Sequence, residues 1–262
     1  MKRITAVLLV FVSIFALFAQ AATEGRTNPT DLIVFAAASM TETMTTIKGL
    51  YEALNPNVNI IYNFDSSGTL KTQIENGADC DIFISAAVKQ MNALTDLGMV
   101  DADTRVDLLE NRTTLAVPAG NPKGITGFDQ LAELLEQGNV FLAVGNSDVP
   151  VGQYTQKIFA YYGIDEAAIT KCLTYGSNVK EVTTQVGAAS VDCGIIYATD
   201  AFSAGLTVVD TATSEMTGGR VIYPAAILNA SKNLDAAQAF LEYLKDTDAM
   251  AVFESVGFAK AL

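Results

Sequence analysis

Ala38-Ser39-Met40, Ser66-Ser67-Gly68-Thr69, Val149-Pro150-Val151-Gly152 and Ser177-Asn178-Val179 share a chemical property. Each leaves an extended apolar run and enters a helix-like one through small or hydroxyl-bearing residues. A helix start exposes backbone N–H groups with no intrahelical partner and carries a positive partial charge. Several such starts, brought together, form a neutral cradle of donors suited to an anion. Each one is also explained by ordinary capping. Ser39 with Glu42 has the S-x-x-E form of a capping box, and Asn178 with Glu181 makes a similar pair. Spacing leaves both roles open.

Other chemistries are harder to place. The chain has no histidine, which removes Ser-His-Asp hydrolysis, histidine general bases and His-ligated metals together. No G-x-x-x-x-G-K-[ST] or G-x-G-x-x-G phosphate motif is present. Asp79 and Asp81 flank an apolar strand start and read as solvated strand-end charges rather than a catalytic dyad. Sixteen basic residues against twenty-nine acidic ones give a net charge of −13. That balance speaks against nucleic acid as a partner, whose phosphates demand Lys and Arg.

The elements that must position the four stretches alternate along the chain. Leu32–Ala36, Val58–Phe64, Asp81–Ser85, Thr114–Val117, Val140–Val144, Lys171–Tyr175, Cys193–Tyr197 and Arg220–Leu228 read as strands. Ser39–Leu54, Thr69–Asn76, the segment through Val88, Met91 and Leu94, Phe128–Leu135, Gln153–Tyr162, Val179–Ala188, Leu234–Leu244 and Ala249–Ser255 read as helices. This wiring predicts an α/β protein in which each sheet is mostly parallel and flanked by helices. No Gly/Ser-rich linker divides the 262 residues, so two halves joined by crossing strands are expected. The candidate crossings are Thr114–Val117 and Arg220–Leu228. The four stretches would then lie at the carboxyl ends of strands, where open α/β sheets bind ligands.

Lys2 and Arg3 precede an apolar run from Ala6 to Ala19 that closes on Ala19-Gln20-Ala21. The run is short for a membrane span and has the form of a signal peptide over residues 1–21, cleaved near Ala21. Its loss takes the basic count from sixteen to fourteen and leaves a mature charge of −15. Export to a bacterial periplasm is expected. Cys80, Cys172 and Cys193 allow one internal disulfide at most; Cys172 and Cys193 would be the partners, although each also reads as a small buried hydrophobe.

Taken in order, several phrases resemble the periplasmic molybdate-binding proteins, the capture components of ABC importers. They are Val34-Phe35-Ala36-Ala37-Ala38-Ser39-Met40-Thr41, Asp65-Ser66-Ser67-Gly68-Thr69-Leu70, Asp81-Ile82-Phe83-Ile84-Ser85-Ala86, Ala143-Val144-Gly145-Asn146 with Val149-Pro150-Val151-Gly152, Gly194-Ile195-Ile196-Tyr197 with Asp200-Ala201, Tyr223-Pro224, and Phe253 to Phe258. The resemblance implies a two-lobed periplasmic binding protein fold of type II with two hinge strands. Residues 22–112 and 221–262 would form the first lobe and 113–220 the second. It also implies five oxyanion contacts: hydroxyl and backbone N–H groups of Ser39 and Ser67, backbone N–H groups of Val151 and Val179, and the Tyr197 hydroxyl. The ligand would be molybdate or tungstate, with no cofactor and no direct metal ligand. The partners would be that small oxyanion and a membrane ABC permease, and the protein would act as a monomer and not as an enzyme. Ser147 and Val151 depart from the family's usual proline and alanine, and bear on fine selectivity.

Three rivals stay open at the level of sequence. An enzyme on the same fold would need Asp, Glu, Lys or Tyr in the cleft, and Asp65 is nearest. The second is a binder of another ligand, such as a carboxylate or ferric ion; carboxylate binders ordinarily use Arg, which none of the four stretches contains. The third is a sensing or interaction domain. Lys71 and Lys180, close to the stretches in sequence, are expected to point to solvent.

Overall fold

A computed structural model describes residues 29–261 of the chain. The signal-peptide reading for residues 1–21 lies outside them.

Two sheets form the frame. The first has the order β2-β1-β3-β10-β4-β11, from Val58–Asp65 (β2), Thr30–Ala37 (β1), Ile82–Ile84 (β3), Val221–Ile227 (β10), Val106–Asn111 (β4) and Ala259–Lys260 (β11). The second has the order β7-β6-β8-β5-β9, from Leu173–Gly176 (β7), Leu142–Gly145 (β6), Cys193–Tyr197 (β8), Thr113–Val117 (β5) and Thr207–Thr211 (β9). The two orders match position for position. In each, a parallel trio is followed by one reversed strand and then a strand that runs with the trio again. The reversed strand is β10 in the first sheet and β5 in the second, and each arrives from the opposite lobe. The short β11 adds a second reversed strand at the first sheet's edge.

The sheets arise from the apolar runs read in the sequence. β3, β5, β6, β8 and β10 are buried along their whole length, as strands covered on both faces must be. The helices pack through one stripe each. Thr41–Leu54 buries Met44, Ile47 and Tyr51, and Phe128–Glu136 buries Phe128, Leu131 and Leu135, both at helical spacing. One apolar cluster lies within the second lobe, among Leu115, Phe128, Leu142 and Ile158. A larger one runs from Val34, Ile84 and Tyr223 on the first sheet's side to Val151, Val179 and Ile196 on the second's.

Several expectations need correction. Neither candidate crossing strand spans the two sheets: Thr114–Val117 lies wholly in the second and Arg220–Leu228 contributes only to the first. The crossing occurs at Arg112, between β4 and β5, and again between β9 and β10. β4 and β9 escaped notice because each carries charged or exposed positions and packs near a sheet edge. Within β10, Pro224 sits at a register shift opposite β4, while its carbonyl accepts the Ser85 N–H at 3.0 Å. Asp81 is buried rather than solvated, accepting from the Ile33 N–H at 2.8 Å and the Ser231 hydroxyl at 2.6 Å. Asp79 is exposed and pairs with Lys232. The three cysteines are free and buried. The Cys172 and Cys193 thiols each approach a backbone carbonyl, of Leu135 and Phe141, at 3.8 Å.

Candidate functional site

The carboxyl ends of β1, β2, β6, β7 and β8 face one another across the lobes. Between them lies a small cavity. Ala37, Ala38, Ser39, Ser66, Ser67 and Ala86 line it from the first lobe, and Val149, Pro150, Val151, Val179 and Tyr197 from the second. All five residues singled out in the sequence therefore line the same cavity. The lining holds no Asp, Glu, Lys or Arg.

Local sequence dictates which donors stay free. In the helix Ser67–Glu75 the Ser66 hydroxyl accepts the Thr69 N–H, and Leu70 already bonds back to Ser66, so the N–H groups of Ser67 and Gly68 have no intrahelical partner. The helix Pro150–Tyr162 opens on proline, which has no N–H to satisfy; Gln153 bonds back to Val149, and the N–H groups of Val151 and Gly152 remain. The helix Val179–Gly187 is capped by Asn178 on the Glu181 N–H at 3.1 Å, which leaves Val179 and Lys180. Capping groups and N–H groups without an intrahelical partner thus occupy neighbouring residues of one helix start.

Ser39 behaves differently from the capping-box expectation. The helix Thr41–Leu54 has Met40 as its cap residue, with no side-chain capping bond, and Ser39 sits in a preceding 3₁₀ turn. Its hydroxyl instead meets the Tyr223 hydroxyl at 2.9 Å. The Ser67 hydroxyl accepts the Ala86 N–H at 2.9 Å.

Tyr197 is 1% exposed, and its hydroxyl has no partner at hydrogen-bonding geometry among the described residues. Burial, reinforced by the nearby Tyr223, Tyr154 and Asp200, pushes its pKa far up. The phenol is therefore a proton-bearing donor at any physiological pH. A buried hydroxyl left without a partner costs stability, and such exceptions call for a reason.

Asp65 accepts from the Ser66 N–H at 2.7 Å and lies 3.4 Å from the Asn178 amide nitrogen, which ties a first-lobe turn to a second-lobe cap. It does not line the cavity. Lys71 pairs with Glu75 along its own helix. Lys180 does not extend into open solvent: it bridges Asp200 at 3.1 Å within the second lobe and Glu42 at 2.7 Å across to the first. Burial alone would lower its pKa; the two carboxylates more than reverse this. Val151 is wholly buried within the larger core, so its branched side chain is absorbed by packing. The Ser147 carbonyl is held by the Gln153 side chain at 3.2 Å. Among the described residues no cluster of His, Cys, Asp or Glu could hold a metal ion.

Residues 32–259 match the family model of the bacterial extracellular solute-binding proteins. The chain belongs to that family. A putative ABC transporter substrate-binding lipoprotein of Bacillus subtilis is 33% identical over 229 residues, 87% of this chain and 85% of that protein. A molybdate-binding protein of Escherichia coli is 33% identical over 232 residues, covering 87% and 88%. Among solved structures, the substrate-binding domain of a putative molybdenum ABC transporter from Clostridium difficile superposes with a TM-score of 0.66 at 33% identity, covering 89% of this chain and all of that one. A more distant relative is an aconitate isomerase from a Pseudomonas, 26% identical over 182 residues. The fold is that of the two-lobed type II periplasmic binding proteins.

Two further buried residues adjoin the site: Tyr223 meets Ser39, and Asn111 donates to Tyr223. Tyr223 lies 184 positions from Ser39 and Asn111 72 positions, so only the register of β10 against β3 and β4 brings them together.

Proposed function

We propose that this protein captures a tetrahedral, fully deprotonated metal oxyanion, molybdate or tungstate, between its lobes and presents it to a membrane ABC permease. Residues 22–112 with 221–262 act as one jaw and 113–220 as the other. One observation carries the reading: five uncharged donors from both lobes line one small cavity that contains no carboxylate and no cation. The kinship with molybdate-binding proteins supports the same ligand.

A dianion loses much hydration energy on burial, so each oxygen must gain hydrogen bonds. Bonds to an ion contribute about 1.5–3 kcal/mol each, and a handful makes tight binding. Ser39 and Ser67 reach the ion from the first lobe; Val151, Val179 and Tyr197 reach it from the second. An ion that bonds both sides favours the closed state by its differential affinity. The negative net charge is no obstacle, since salt screens it over about 8 Å whereas the donors act at contact. Sulfate is disfavoured by size because it cannot reach every donor at once. The chain is exported, cleaved near Ala21, and works as a monomer.

The test is a calorimetric and thermal-shift panel of molybdate, tungstate, sulfate and phosphate on the purified protein. Molybdate and tungstate are expected to bind and to raise the melting temperature. Sulfate binding as tightly as molybdate would overturn the size argument. A panel in which no oxyanion binds would overturn the function, and turnover of a bound organic acid would replace it with an enzyme.

A further inference from the structure

A hydroxyl can give or take a hydrogen bond, and an anion site works only if its hydroxyls give. The surroundings of the two serines decide this for each. Ser67 is settled by the backbone: the Ala86 N–H donates to its oxygen, so its own hydrogen is free for the cavity.

Ser39 is settled by side chains. The Arg112 N–H donates to the Asn111 side-chain oxygen at 2.8 Å, which fixes the orientation of that amide. The amide nitrogen then has two hydrogens to give. One goes to the Thr199 hydroxyl at 2.9 Å and the other to the Tyr223 hydroxyl at 3.1 Å. Tyr223 is fully buried, and burial pushes its pKa far up, so it keeps its proton. Among the described residues the acceptor at hydrogen-bonding geometry to that proton is the Ser39 oxygen, at 2.9 Å; the Tyr197 hydroxyl also lies close by but lacks that geometry. Leaving a buried O–H unpaired is costly, so Tyr223 gives and Ser39 takes. The hydrogen of Ser39 is released toward the cavity that Ser39 lines.

We infer that Asn111 and Tyr223 are positioning residues that hold Ser39 as an obligate donor to the oxyanion. This rests on the capture function proposed above and adds two residues that never touch the ion. Each of the five proposed contacts is then a donor. A protonated anion such as hydrogen phosphate finds no acceptor for its O–H among them. Asn111 also ends β4, next to the crossing at Arg112, while Thr199 belongs to the second lobe; the relay therefore starts where the chain changes lobes.

The decisive variant is Asn111→Asp. A carboxylate has the amide's shape but no hydrogen to give. It would accept from Tyr223, Tyr223 would in turn accept from Ser39, and Ser39 would turn a lone pair to the ion. Molybdate affinity is measured by calorimetry for the wild type, Asn111→Asp, Ser39→Ala and the double variant. Ser39→Ala is expected to weaken binding about tenfold in the wild type. In the Asn111→Asp background it is expected to cost nothing or to restore affinity, a sign reversal that general structural damage would not produce. The same loss in both backgrounds would overturn the relay. Should Asn111→Asp not fold, Tyr223→Phe replaces it. There the Ser39→Ala loss should shrink to less than about threefold, and an undiminished loss would overturn the relay. A wild type that binds no oxyanion defeats the parent function and the relay together. A wild type that binds molybdate, with independent losses in the cycle, defeats the relay alone.

Discussion

The hydroxyls at the cavity are buried under different terms, and those terms predict separate outcomes. Among the described residues the Tyr197 oxygen has no partner at hydrogen-bonding geometry, so Tyr197→Phe removes a bond only from the complex. Affinity for molybdate should fall about ten- to a hundredfold, while the ligand-free protein melts at an unchanged or slightly higher temperature. The Ser67 oxygen satisfies the Ala86 N–H, so Ser67→Ala strands a buried donor. It should cost the ligand-free protein about 1–3 kcal/mol in addition to its effect on binding. Calorimetric melting of both variants, with and without molybdate, separates the two. At this scale the sequence was informative where a residue's role is local. Asn178 caps as its spacing to Glu181 implied. Ser39 does not, because its partner Tyr223 is fixed by strand pairing rather than by proximity along the chain.

Helix starts and strand ends build the cavity, and one glycine shows how closely they meet. A Cβ at Gly68, in the first turn of Ser67–Glu75, would fall well inside contact distance of the Asp148 carbonyl in the opposite lobe. Gly68→Ala should therefore obstruct closure without disturbing either sheet. The expected result is an affinity lower by about tenfold or more with a ligand-free melting temperature close to the wild type's, read by calorimetry. Most elements were legible as runs with a clear period. Val34, Ile84 and Ile195 mark buried strands, and Met44, Ile47 and Tyr51 mark a helical face. β4 and β9 were not. Asp107 and Glu110 interrupt the apolar pattern of β4, and the exposed positions of β9 leave it no buried stripe. With β4 unseen, the periodicity alone did not show the crossing at Arg112; the boundary between residues 112 and 113 came only as an implication of the family resemblance.

Across the whole molecule, the lobes are also joined by charge. Asp200 is completely buried beside Lys180, which reaches over to Glu42. Burial, opposed by Lys180 and assisted by Glu42, raises the Asp200 pKa to about 6 from an ordinary 3.8. Between those two values the folded protein holds a proton that the unfolded chain has released. Rising pH therefore works against the folded state across that interval, and the advantage present near pH 4 is gone once the pH exceeds about 6. The term is worth about 3 kcal/mol at most. In Asp200→Asn this contribution should vanish, and melting temperatures recorded from pH 4 to pH 7 should fall less steeply than those of the wild type.

The matching strand orders of the two sheets carry a consequence for biogenesis. Every strand of the second sheet comes from one unbroken stretch, 113–211, whereas the first sheet keeps a gap between β3 and β4 until β10 fills it. The central stretch can mature as soon as it is made. The outer one waits, with two unpaired edges open to sticking, for a strand more than a hundred residues downstream. A nascent or translocating chain should thus complete its middle first, and helpers that prevent aggregation should be needed chiefly for its beginning.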